Sequence, residues 1–131
     1  MRRGERGQAA VELALALPLL ALLALSLLQV VLVARDQVLL THAAREAARE
    51  AAVAGDAGAA RRGALAGARL DADRLVVDAA GRAGVGSRVT VTLRYRSPTD
   101  VPVVGRLVGD VHLAASVTMR VEMSTLRVTT P

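Results

Sequence analysis

Cysteine, lysine, tryptophan and phenylalanine are all missing from this 131-residue chain, and Tyr95 is its one aromatic side chain. The lack of cysteine removes disulfides, thiol nucleophiles and thiolate metal sites, so a thiol enzyme is excluded and the redox compartment cannot be read either way. A single aromatic ring offers almost no stacking platform of the kind that grips single-stranded nucleic acid. The formal charge of +5 would otherwise invite that partner, because clustered arginines release counterions from phosphates. The distribution of charge argues against it. Arg2, Arg3 and Arg6 precede an apolar run, and most other arginines scatter among acids or alternate along candidate strands. Nucleic acid is therefore not an expected partner. The length suits one small domain plus an anchor rather than two separate cores.

What the chain has in excess is uninterrupted apolar sequence. From Leu13 to Ala34 it reads LALALPLLALLALSLLQVVLVA, twenty-two residues without a charge and with only Ser26 and Gln29 as polar interruptions. A helix of this length spans about 30 Å, the hydrocarbon thickness of a bilayer. A cleaved secretory signal has a shorter apolar region, of about 7–15 residues, and ends in a small-x-small site. Here the run passes directly into RDQVLL. Pro18 removes one backbone hydrogen bond inside the span, a defect that membrane helices tolerate. Three arginines and the amino terminus flank the run on one side, whereas Arg35, Arg45 and Arg49 are balanced by Asp36, Glu46 and Glu50 on the other. The excess of positive charge places the N-terminal flank in the cytoplasm and the chain after Ala34 outside it.

One carboxylate, Glu12, stands at the mouth of this span. By itself it reads as a solvated headgroup-level residue favoured by the positive end of the helix dipole. Its context, ERGQAAVE, adds a second reading. Cutting after Gly7 makes Gln8 the first residue and Glu12 the fifth, followed by unbroken apolar helix; cutting after Gly4 would put Ala9 fifth instead. A new α-amino group at Gln8 is protonated at neutral pH and, among apolar helices, needs an acidic partner. In a staggered stack of such helices Glu12 of one subunit would meet the amine of the next and set their register.

This pattern of short basic leader, glycine, glutamate at the fifth mature position and retained apolar helix resembles the type IV prepilin signal. Within that group the stretch from Arg2 to about Glu50 resembles the TadE-like minor pilins or pseudopilins of tight-adherence (Flp) pili. The aromatic residues often found near the end of such spans are missing here. The resemblance implies a prepilin peptidase acting at Gly7 and Gln8, other pilin or pseudopilin subunits and the pilus assembly machinery as partners, and a place in adhesion. Processing would remove three arginines and one glutamate, leaving the mature chain two charges less basic. Two other readings stand beside it: a membrane-tethered binding or regulatory module that is never processed, and an exported protein released by signal peptidase.

Beyond the span, RDQVLLTHAAREAAREAAVAG carries alanines at helical spacing, which predicts continued helix with an apolar stripe of Leu39, Ala43, Ala47, Ala51 and Ala54. Small side chains there permit close packing on the protein's own elements or on another subunit. Gly55 is a candidate helix stop and Asp56 a candidate N-cap for a second helix from Ala57 to about Leu70, in which Gly63 and Gly67 each weaken the helix by about 1 kcal/mol. The glycines Gly81, Gly84 and Gly86 of GRAGVG predict a turn, since they do not form a phosphate-binding GxGxxG.

The period then changes to two. In RVTVTLRYR, Val89, Val91, Leu93 and Tyr95 alternate with polar residues; in VHLAASVTMRVEM the alternation runs from Val111 to Met123. With RLVVDA ahead of them, these segments predict three or four antiparallel strands packed by one face on the helix. SPTDVPVVGRLVGD between the long strands predicts a loop, with a possible short strand at Val101–Val104 and valines assigned to loop packing rather than docking.

The fold class expected is thus α+β: a long N-terminal helix, a second short helix and a small antiparallel sheet. The parts are a leader over 1–7, a transmembrane helix over 8–34 and an exported head over 35–131. His42 has no second histidine at ligand spacing, and the serines lack a His–Asp pair, so neither a metal, a cofactor nor an enzyme is expected. A small-molecule substrate is not expected either, because so small a sheet leaves little room for an enclosed pocket.

Overall fold

The computed structural model describes residues 3–54, 58–81 and 84–121. Its elements are α1 (Arg3–Val53), α2 (Ala59–Gly67), β1 (Leu75–Ala80), β2 (Arg88–Ser97), α3 (Val104–Val108) and β3 (Val111–Arg120), an α+β arrangement. Backbone contacts divide the chain into two compact units, one of residues 1–34 with 98–111 and one of residues 35–97 with 112–131.

The first unit contains the apolar part of α1. The helix continues through Pro18, whose missing N–H leaves the Ala14 carbonyl without its usual donor. Ser26 turns its hydroxyl inward and donates to the Leu22 carbonyl at 2.8 Å, so its polar group is met within the helix. Leucines and valines from Val11 to Val31 are exposed on every side of the helix, and that distribution suits an apolar solvent or like helices rather than water. The same unit holds α3, in the segment where the sequence predicts a loop with room for a short strand at Val101–Val104. A strand fails there for a local reason. Val103 has a φ of 70°, and the Val104 N–H bonds back to the Pro102 carbonyl at 2.8 Å, closing a tight three-residue turn that no extended run can contain.

The second unit is built on the remaining part of α1. Leu40, Ala43, Ala44, Ala47, Ala48, Ala51 and Ala52 are buried, a wider stripe than the predicted one, with Leu39 and Ala54 only half-buried. They form one core with Ala60 and Ala64 of α2 and with Leu75, Val89, Val91, Leu93 and Tyr95 of the sheet. Packing within the chain therefore covers this stripe. β1 and β2 pair antiparallel, Leu75 opposite Tyr95 and Ala80 opposite Thr90. The sheet order is β1-β2-β3, and hydroxyl contacts Thr90–Thr118 and Thr92–Ser116 fix the antiparallel match of the long strands. Alternation puts Val89, Val91, Leu93, Tyr95 and Ser97 inward, as period two dictates.

Gly81, Gly84 and Gly86 all have positive φ, the backbone of the predicted turn between β1 and β2. Helix α2 is shorter than predicted, and its N-cap position is Gly58. The predicted stop at Gly55, the cap at Asp56, Arg82 of the turn and the strand end at Glu122 and Met123 lie outside the described residues.

One buried polar contact ties α1 to the end of β2. Ser97, 1% exposed, donates from Oγ to Asp36 Oδ2 at 2.7 Å. Hydrogen bonds to charged groups contribute about 1.5–3 kcal/mol, reduced where solvent reaches the carboxylate as it does here. Ser97→Ala is expected to destabilise the unit by about 1–2 kcal/mol, measured as a lower midpoint of the Tyr95 unfolding transition. Asp36→Asn, which keeps an acceptor, should lose less; equal midpoints in Ser97→Ala and the parent would show that this contact contributes nothing.

Candidate processing and assembly site

Gly7, Gln8 and Glu12 all lie in the first turns of α1, in the first unit. Gly7 is exposed, and a Cβ built on it would meet nothing within 4 Å, so packing does not require glycine at this position. Nor does backbone strain, since the residue is helical. Its peptide bond to Gln8 is not shielded by another element of the described chain. Gln8 and Glu12 are four residues apart and share one helix face, where Gln8 Nε2 donates to Glu12 Oε1 at 3.3 Å. This is a long, exposed contact. The structure therefore brings Gln8 and Glu12 together and places Gly7 one residue before them.

Chemically, this arrangement offers an accessible peptide bond preceded by glycine and an exposed carboxylate one helical turn beyond it. Among the described residues no general acid, base or nucleophile is assembled around it. Among the described residues no group of three or more His, Cys, Asp or Glu is placed to hold a metal ion, and His42 and Asp36 are not part of one. The charged pairs in the second unit, Arg49–Glu46, Arg74–Asp71 and Arg94–Asp78, are exposed or partly exposed and are of the kind that contributes little.

Two features escaped the residue pattern. Gln29, read as a polar interruption of the apolar run, is 5% exposed, and neither its amide nitrogen nor its amide oxygen has a hydrogen-bond partner. Gly63 and Gly67, read as weak points of a helix, are contact points: a Cβ at Gly63 would stand 2.7 Å from the Glu46 carbonyl oxygen. Their four-residue spacing opposite an alanine stripe was the available signal for a close helix crossing.

Among the described residues one helix, from Gly7 to Val53, is long and apolar enough to cross a membrane by length and composition, with a mean hydropathy of 2.6 in its most apolar window. The chain is thus of the class with one N-terminal candidate span and a small α+β unit following in sequence. Residues 7–49 match the family model described as TadE-like protein, the family that the N-terminal pattern resembles. No curated protein and no solved structure matches the chain. The family match and the apolar helix together fit a membrane protein associated with a tight-adherence pilus.

Proposed function

We propose that this chain is a minor pilin or pseudopilin of a tight-adherence pilus, cut by a prepilin peptidase between Gly7 and Gln8 and acting in pilus assembly and adhesion. The observation that carries the reading is one of register. The family match begins at Gly7, and from there Glu12 is the fifth residue of the product, exposed at the start of an apolar helix. Residues 1–7 are then a cytoplasmic leader, 8–34 the span, and 35–131 the exported part of a single-pass protein. The orientation rests on the arginines ahead of the span.

The role is structural, in keeping with a family of pilus-associated structural proteins, and surfaces rather than a reaction centre do the work. While in the bilayer the exposed Leu and Val side chains of α1 contact lipid. On assembly they exchange lipid for like helices at small net cost, since both surroundings are apolar, and the charged ends decide the geometry. Glu12 would accept the protonated amine of a neighbouring subunit's first residue, neutralising two charges that are each expensive alone.

Mass spectrometry of the protein extracted from membranes tests the first step. An N-terminus at Gln8 is expected. An intact leader in a functioning chain would replace this reading with an unprocessed tethered module, and an N-terminus beyond Ser26 would replace it with a released protein.

A further inference from the structure

We infer that residues 101–108 form a second membrane contact, an interfacial element that rests in the lipid beside the C-terminal end of the span. The inference depends on α1 being embedded as proposed above. Residues 98–111 fall in the same compact unit as residues 1–34, although more than sixty positions separate them in sequence. Among the described residues of that unit, these are the ones outside α1. An isolated helix leaves its side chains exposed, so the burial of Gln29 calls for a cover, and residues 98–111 are the described chain that shares its unit. Gln29 lies five residues before the end of the apolar run, about 7–8 Å inside it at 1.5 Å per residue. A segment that covers Gln29 therefore reaches below the level at which the span leaves the hydrocarbon.

The side chains fit that depth. Val101 and Val104 are buried, while Val103, Leu107 and Val108 are exposed, Leu107 by 78%. Three large apolar side chains within six residues are an unfavourable surface in water and a favourable one against acyl chains. Arg106 stands among them with a stem long enough to carry its guanidinium out to the headgroups.

The backbone fits as well. Irregular chain enters lipid only when its polar groups are satisfied internally. Here Gly105 N–H bonds to the Val101 carbonyl at 2.9 Å, Gly109 N–H to the Gly105 carbonyl at 3.1 Å, and Thr99 Oγ1 donates to the Gly109 carbonyl. Pro98 and Pro102 have no N–H to satisfy. A Cβ at Gly105 would lie 2.0 Å from the Thr99 carbonyl oxygen, so the segment closes on itself too tightly for another residue there.

The absence of cysteine allows a direct test with the full chain in phosphatidylcholine vesicles. Single cysteines replace Leu107, Val108, Leu23 in the span and Thr118 on the exposed sheet face, each at a position whose side chain is exposed, and carry a nitroxide label. Collision with oxygen is compared with collision with a water-soluble nickel chelate. Labels at 107 and 108 should match the label at 23, with an oxygen-to-nickel ratio several-fold above that at 118. Water-like ratios at 107 and 108 with a lipid-like ratio at 23 would overturn the inference and leave the span intact. Water-like ratios at all four positions would remove both. Protection of 107 and 108 from both reagents would mean that protein, not lipid, covers them, and would overturn it too.

Discussion

Gly63→Ala is expected to destabilise the α+β unit, although alanine is the better helix former. The added Cβ would lie 2.7 Å from the Glu46 carbonyl oxygen, 2.9 Å from Ala47 Cα and 2.9 Å from Glu50 Cβ. Two of those three atoms belong to the backbone of α1, which cannot give way without parting the helices. Overfilling a packed contact costs about 1–3 kcal/mol, whereas the gain in helix propensity is at most about 1 kcal/mol. The net loss of about 1–2 kcal/mol corresponds to a fall in melting temperature of roughly 4–8 °C per kcal/mol for a unit of this size. Tyr95 is the probe for the measurement, since it is the single aromatic residue and sits in the same core as Ala60 and Ala64. At Gly67 the added atom meets Glu46 Cβ and Cγ at 2.9 and 3.0 Å and Ala43 Cα at 3.3 Å; Cγ can rotate away while Cβ is fixed to α1, and no backbone atom of α1 stands closer than 3.3 Å. Gly67→Ala should therefore cost less. A Gly63→Ala protein that melts at or above the parent temperature would show that the two helices are not held at this distance by the missing side chain.

The same two glycines mark the limit of what the residue pattern could convey. Local periodicity carries strong information where one face is buried, and for that reason β2 was legible from Val89 to Tyr95 and the α1 stripe from its alanines. A helix crossing is a relation between segments, so a glycine that enables it looks, within its own helix, like a defect. Val103 illustrates the other kind of loss. A β-branched residue flanked by valines carries the propensity of a strand, yet its backbone has a φ of 70° because neighbouring bonds close a turn. Those bonds involve carbonyls and N–H groups, which the side-chain sequence does not report. Gln29 is similar: its amide is visible in the sequence, but its burial is not written in the residues beside it. The Gly7–Glu12 spacing, by contrast, is a distance along one helix and needs no other segment to be read.

That register leads to the largest functional effect. Glu12→Ala is expected to leave membrane insertion and cleavage after Gly7 unchanged while reducing recovery of the protein in the assembled pilus fraction to background. Insertion depends on the apolar run, which the substitution lengthens, and cleavage depends on the bond before Gln8. Assembly differs because it places an ammonium among apolar helices. Removing one member of a buried charge pair costs about 3–5 kcal/mol, since the other charge remains without a partner. At about 1.4 kcal/mol per factor of ten, association would weaken by roughly 10²- to several 10³-fold. Glu12→Gln separates charge from shape: it keeps the side-chain length and an acceptor facing Gln8 but cannot neutralise an amine, so it should fail nearly as completely as alanine. Glu12→Asp keeps the charge on a shorter stem and should retain partial incorporation. If Glu12→Gln were incorporated as well as the parent, the carboxylate would be acting only as an exposed polar group at the helix start, favoured there by the dipole and replaceable by any other acceptor. The exposure of Glu12 in the isolated chain is what the pairing requires, because a carboxylate already spent on an internal cation would have nothing to offer a neighbour.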